Sequence, residues 1–199
     1  MKTNDIGTII TALCEHGARA VQRYVEISGV GPGAMPEYFM PAFIFDHMGD
    51  QVTMTLETNF LSLLEWNMHA KNGRRVVPSA ADIKALSLAA DLGSPRVDLA
   101  IFADPHRPKD EQDILALVEF KRGWISAEGG DRDKLLLLLN HIDSCKYGAV
   151  CGWTDKPEYP RGEAQKFGDL WFEHDFELHG RHCFFCARVF EASAAKRSG

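Results

Sequence analysis

The stretch that decides the fold is RVDLAIFADPHRPKDEQDILALVEFK, residues 96–121. Its two ends, Arg96–Phe102 and Ile114–Lys121, are apolar runs of the length and composition typical of interior strands. The segment between them, 103–113, carries two prolines and several charges, which favour a turn. The stretch therefore predicts two neighbouring strands that can pair as an antiparallel hairpin.

Each of these two strands carries one carboxylate among apolar neighbours, Asp98 in the first and Glu119 in the second. Since side chains alternate along a strand, Glu119 and Lys121 face the same side. An acid and an amine are costly to bury unless they are paired or bound to something. In an antiparallel hairpin Asp98 would lie across from Glu119 and Lys121. Two carboxylates, a backbone carbonyl and waters would suit Mg²⁺.

The remaining segments alternate between helical and strand-like patterns. Helical spacing of apolar residues predicts helices over 5–27, 36–48, 59–68, 79–91, 131–143 and 163–170. Strands are predicted over 51–57, 147–153 and 182–190. Asp5 is a candidate N-cap, and Pro41 predicts a kink or a late start of the second helix. The apolar run Leu135–Leu139 predicts a helix that is deeply buried or lies at an interface. This order predicts an α/β sandwich with a mixed sheet.

Composition places the chain among ordinary globular proteins. A length of 199 residues favours one domain, and 45% hydrophobic with 25% charged residues is typical of a packed fold. The formal net charge of −6 excludes a global basic field, so any nucleic-acid contact must use a local basic surface. No apolar run approaches the roughly 20 residues that span a bilayer, and the polar start differs from a signal peptide. The sequence therefore predicts a cytoplasmic protein.

A family resemblance rests on the same residues. Asp98 followed by Glu119-Phe120-Lys121, on successive strands and then a helix and a strand, resembles the PD-(D/E)xK phosphodiesterase superfamily. The resemblance implies a restriction-endonuclease-like core, a central mixed β-sheet flanked by α-helices, over roughly residues 35–155. We expect one domain over 1–199, with 1–34 as an N-terminal helix and 156–199 as a C-terminal extension.

The resemblance also implies a function and a site. It implies a nuclease that depends on Mg²⁺ or Mn²⁺ and hydrolyses phosphodiester bonds, with DNA as the expected substrate. Asp98, Glu119 and the Phe120 backbone carbonyl would bind the metal, and Lys121 would be the catalytic lysine. Glu37 matches the glutamate that many members place on the helix before the first strand. The alternative is a catalytically silent nuclease-like fold that acts as a nucleic-acid- or protein-binding module, which the acidic net charge favours.

Basic residues near this centre are candidates for contacts with a nucleic-acid backbone. They are Arg122, Arg132 and Lys134 next to the centre, and Arg74 and Arg75 in a basic loop. A homodimer is also plausible, because duplex cleavage needs two centres.

Five cysteines in apolar contexts predict reduced, buried thiols rather than a disulfide framework. Cys183 and Cys186 form a Cys-x-x-Cys pattern, which can bind zinc in a tight turn. In the strand predicted here, the two thiols would point to opposite faces, so buried core thiols are favoured over a zinc site. A small-molecule enzyme that uses the His/Cys-rich segment 179–186 is a third alternative.

Overall fold

The computed structural model describes residues 5–73, 78–91, 95–102, 104, 106–121, 130–142 and 145–191. The strands are β1 (Thr53–Asn59), β2 (Arg96–Phe102), β3 (Ile114–Lys121), β4 (Tyr147–Thr154), β5 (Leu170–Leu178) and β6 (Arg181–Glu191). They form one mixed sheet in the order β1-β2-β3-β4-β6-β5. Every neighbouring pair is antiparallel except β3 and β4, which are parallel.

Helices cover both faces of this sheet. They are α1 (Ile6–Ser28), α2 (Phe39–Met48), α3 (Phe60–Asn72), α4 (Ala80–Asp91), α5 (Gly130–His141) and α6 (Glu158–Phe167). Helix α1 packs on β4, β5 and β6, and α2 packs on α1 and β1. On the opposite face α5 packs on β4, and α4 packs against α5. Helix α5 also links the parallel strands β3 and β4, as parallel pairing requires.

Alternation along the central strands divides the apolar side chains between two cores. Leu99 and Val118 belong to the core beneath α1 and α2. Ala100 and Leu117 belong to the core beneath α5. Gly17 lets α1 approach the sheet closely, because a Cβ atom there would lie 2.4 Å from the Phe185 ring. The two central strands are therefore covered on both faces, as their apolar sequences predicted.

The structure confirms the main elements of the sequence prediction. Strands β2 and β3 have the predicted bounds and pair as an antiparallel hairpin. Helix α2 starts late, at Phe39, so Pro41 lies in its first turn, where a missing N–H costs little. Asp5 is the N-cap residue of α1, but its side chain makes no capping hydrogen bond. The sheet is mixed and flanked by helices, which confirms the α/β class.

Two parts of the C-terminal third differ from the prediction. The predicted helix over 163–170 is α6, which begins earlier and ends at Gly168 in the left-handed conformation, with φ of 71°. Strand β5 follows directly and was not predicted. Its outward positions carry acids such as Glu173 and Glu177, which obscure the alternation with the partly buried Phe172 and the buried Phe176.

The leucine run of α5 is interior. Leu135, Leu138 and Leu139 are buried in the second core, and Leu136 and Leu137 pack against it. Three of the five leucines are therefore deeply buried, and the other two are half-buried.

None of the helices in the described part of the chain is both long enough and apolar enough to cross a membrane.

Candidate functional site

Asp98 and Glu119 lie next to each other on adjacent strands. Leu99 pairs with Val118, and one further step in this register places Asp98 opposite Glu119. Both side chains lie on the α5 face, since Ala100 and Leu117 on the same sides of their strands belong to the core beneath α5. The structure therefore confirms that the hairpin brings the two carboxylates together.

The Asp98 carboxylate is half-buried at the end of the hairpin. Its Oδ2 accepts a hydrogen bond of 2.7 Å from the backbone N–H of Phe120. Burial raises the pKa of Asp98, and this hydrogen bond and the charges of Lys134 and Lys121 partly oppose the rise. The negative charge of Glu57 adds to the rise. Asp98 is thus fixed by the backbone in a place where its own charge is unfavourable.

The Glu119 carboxylate is only 5% exposed. The Lys134 Nζ lies 2.6 Å from Glu119 Oε1 and forms a buried ion pair with it. Burial and then the charge of Asp98 raise the pKa of Glu119 to about 7, although Lys134 acts in the opposite direction. Lys134 therefore does not offset the combined effect of burial and the charge of Asp98 on Glu119.

Two lysines and one further acid lie beside the pair. Lys121 Nζ contacts Asp131 Oδ2, and Asp131 Oδ1 lies 3.9 Å from Lys134 Nζ. Lys134 Nζ also donates a 3.3 Å hydrogen bond to the backbone carbonyl of Arg96. The Lys121 side chain remains 40% exposed, whereas Lys134 is buried. Lys121 is consequently the lysine of the site that solvent or a substrate can reach.

Glu57 is a third carboxylate in the same row of the sheet. The β1–β2 register, in which Leu56 pairs with Leu99, places Glu57 beside Asp98. Glu57 has a φ of 48°, a left-handed conformation that costs a non-glycine residue energy. Its charge acts on Asp98. Sequence reasoning missed Glu57, because its place depends on the register between β1 and β2, which α3 and α4 separate along the chain.

The sequence prediction also missed Asp131 and gave Lys134 a different role, that of a nucleic-acid contact. They lie one turn apart at the start of α5, the spacing at which helical side chains become neighbours. Both acid and amine lie close to Glu119, since Asp131 is one of the charges that perturb its pKa. The helix after β3 thus supplies as much of the site as the strand itself.

The position of Glu37 requires a correction. The prediction placed Glu37 on the helix before β1, but that helix begins only at Phe39. Glu37 is exposed in the turn that precedes the helix. Glu37 therefore lies just before α2 and not on the helix, as the prediction had placed it.

The predicted nucleic-acid contacts have different outcomes. Lys134 is 1% exposed and paired with Glu119, so it is an interior group of the site and not a surface contact. Arg132 donates from Nε and Nη2 to the two carboxylate oxygens of Asp169, both at 3.2 Å. Arg74, Arg75 and Arg122 lie outside the described residues.

The cysteines behave as the sequence predicted. All five are free and buried. Cys183 belongs to the core beneath α1 and Cys186 to the core beneath α5, so the Cys-x-x-Cys thiols point to opposite faces of the sheet. Burial raises the pKa of the Cys186 thiol to about 12, which makes it a poor nucleophile.

The oxygen ligands of the site suit a magnesium ion better than a zinc ion. Within the described ranges, no three His, Cys, Asp or Glu side chains are grouped closely enough to hold a metal ion together. Mg²⁺ needs fewer protein ligands, because it keeps several waters and often uses only one or two carboxylates. The adjacent Asp98 and Glu119 fit that requirement.

Comparisons of the chain with protein-family models, curated proteins and solved structures found no match.

Proposed function

We propose that this protein is a metal-dependent nuclease that hydrolyses phosphodiester bonds, with DNA as the preferred substrate. The observation that carries the proposal is the placement of Asp98 and Glu119 side by side on the β2–β3 hairpin. The exposed Lys121 extends from the end of the same strand as Glu119. The charge of Asp98 raises the pKa of the buried Glu119, and such crowding of carboxylates favours the binding of a cation.

The order of the elements supports the same proposal. Helix α2, strands β1, β2 and β3, helix α5 and strand β4 follow one another, with α3 and α4 inserted between β1 and β2. Helix, three strands, helix and strand is the order on which the resemblance to the PD-(D/E)xK superfamily rests. The proposal that the core is restriction-endonuclease-like depends on this order together with the carboxylate pair.

Each residue of the site has a distinct proposed role. Asp98 and Glu119, with the Phe120 carbonyl, would hold Mg²⁺ or Mn²⁺, which polarises the scissile phosphodiester and activates water when bound. Asp98 keeps its orientation through the Phe120 N–H, and Glu119 keeps its orientation through Lys134. Lys121, held by Asp131, offers its ammonium to the charge that develops on phosphorus.

Cleavage assays with matched variants test the proposal. Protein purified without metal is incubated with Mg²⁺ or Mn²⁺ and supercoiled, linear and single-stranded DNA, and with RNA, beside a chelator control. We expect metal-dependent cleavage that falls by about 100-fold or more in Asp98→Asn and in Lys121→Met. Lys84→Met, on the exposed surface of α4, is the matched control and should cleave at the wild-type rate. Full activity in both site variants would refute the proposal.

The alternative function is a binding module. It is favoured by the two lysines, which already pair with Glu119 and Asp131 and lessen the need for a metal. If the wild-type protein neither cleaves nucleic acid nor shows a metal-dependent thermal shift, yet retards DNA in a gel, the binding module replaces the nuclease.

A further inference from the structure

The carboxylates of Asp98 and Glu119, with Glu57 beside Asp98, are called the carboxylate row. The ammonium group of Lys134 is a cation that belongs to the protein and lies against this row. This group lies 2.6 Å from Glu119 Oε1, 3.3 Å from the Arg96 carbonyl oxygen and 3.9 Å from Asp131 Oδ1. Only 1% of Lys134 is exposed, so its ammonium group is not replaced by cations from the solvent. A lysine is rarely buried this fully unless it is paired, so its place among three oxygen atoms defines its role.

The charges of the site determine how much additional positive charge it needs for neutrality. Asp98 responds to the charges of Glu57, Lys134 and Lys121, and Glu119 responds to those of Asp98, Lys134 and Asp131. These interactions join four carboxylates and two ammonium groups into one cluster. In the fully ionised state the cluster carries two negative charges, which a single divalent cation neutralises.

We propose that Lys134 fills the place of a second cation, so that the carboxylate row of Asp98 and Glu119 accepts one divalent ion and not two. This inference rests on the proposed function and specifies the metal requirement of the same site. A second divalent ion on Glu119 would lie close to the fixed ammonium, and like charges repel strongly in a poorly solvated interior. Lys134 is therefore a positioning residue: it holds Glu119 and sets the number of ions.

The inference makes a prediction whose sign differs from that of a purely structural lysine. If Lys134 only supported the shape of the site, its removal would weaken divalent binding. If it acts as the resident cation, Lys134→Met leaves one more negative charge, and the site binds Mn²⁺ on the order of tenfold more tightly or takes a second ion. Lys134→Arg keeps the charge and should keep the wild-type stoichiometry.

Calorimetric titration of the metal-free full chain with Mn²⁺ measures both the affinity for the ion and the number of ions bound. We expect one ion per wild-type chain, loss of that ion in Asp98→Asn, and wild-type behaviour in the Lys84→Met control. Circular dichroism establishes that each variant is folded. If Lys134→Met does not fold, Lys134→Gln replaces it, and the wild-type stoichiometry remains decisive.

The outcomes separate the inference from the proposed function. Two Asp98-dependent ions on the wild-type chain, or unchanged or weaker binding by the folded Lys134 variant, would overturn the inference and leave the nuclease proposal standing. Absence of any Asp98-dependent ion on the wild-type chain would overturn both.

Discussion

Helix α5 contributes side chains to two ionic clusters, which differ in their balance of acids and bases. On the β3 side it contributes Lys134 to the carboxylate row of Asp98 and Glu119. It also contributes Arg132 to a pair with Asp169, to which Arg188 of β6 is bound as well. The first cluster has more acids than bases, and the second has two bases for one acid. The difference indicates which of the two clusters has a structural role.

The second cluster, which consists of Arg132, Arg188 and Asp169, is called the arginine cluster, and its ion pairs are largely buried. Arg188 is 1% exposed, and its Nε donates a 2.5 Å hydrogen bond to Asp169 Oδ2. Arg132 takes both oxygens of the same carboxylate, and the two guanidinium groups each lie 5.1 Å from the centre of the Phe167 ring. Such charge-assisted bonds and cation–π contacts fix α5 and the start of β5 to the sheet. We therefore expect this cluster to stabilise the fold, whereas the carboxylate row is the site of the proposed chemistry.

The largest expected effect on stability comes from a substitution in the arginine cluster. Asp169→Asn removes the carboxylate that both guanidinium groups share and leaves the buried Arg188 and the half-buried Arg132 without this counter-charge. We expect the free energy of unfolding to fall by about 3–5 kcal/mol. Urea denaturation followed by circular dichroism measures the change.

Glu173→Gln is the matched control for this substitution. Glu173 also binds an arginine, Arg161 at 2.6 Å, but both side chains are about one-third exposed. An exposed pair contributes at most about 1 kcal/mol. Similar losses in the two variants would show that burial is not what distinguishes the arginine cluster.

The carboxylate row predicts a pH dependence of stability in the metal-free protein. Glu119 has a pKa of about 7 in the folded chain, raised from its ordinary value of 4.5. The folded state therefore binds this proton more tightly than the unfolded state does. The resulting stabilisation is fully present below pH 4.5 and is lost as the pH rises to 7. This shift corresponds to roughly 3 kcal/mol.

Denaturation in the presence of a chelator, between pH 4 and pH 8, measures this contribution. Other groups titrate in the same range, so the informative quantity is the difference in slope between the wild-type protein and Glu119→Gln. The variant lacks the proton that Glu119 binds, and its stability should fall less steeply with pH. Parallel curves would contradict the raised pKa of Glu119.

The sequence predicted the carboxylate row far better than the arginine cluster. Asp98 and Glu119 stand alone in apolar strands, so each signals that its burial needs an explanation, and hairpin pairing requires only local register. Arg132 and Arg188 belong to α5 and β6, and Asp169 lies in the connection between α6 and β5. Their proximity depends on how α5 lies across β4 and β6, which no local pattern specifies.

Glu57 and Glu37 illustrate the same limit within the site. The resemblance pointed to Glu37 because of its position in the chain before β1, but the late start of α2 leaves it in a turn. Glu57 enters the row through pairing between β1 and β2, which α3 and α4 separate along the chain. Alternation within one strand is visible in a sequence, whereas the register between distant strands is set by tertiary packing.

The smallest effect, and the one with the opposite sign, is expected when the same chemical change is made in the carboxylate row. Asp98→Asn removes a charge whose burial is unfavourable and relieves the repulsion on Glu119, while the amide oxygen still accepts the Phe120 N–H. We expect the metal-free protein to gain about 1 kcal/mol of stability at pH 8.

Asp113→Asn, at an exposed position, should change stability little. Thermal denaturation with and without Mn²⁺ measures both consequences, because the variant should also lose the stabilisation that Mn²⁺ gives the wild-type chain. A loss of stability comparable to that of Asp169→Asn would show that Asp98 supports the fold, and the division between a chemical and a structural cluster would then fail.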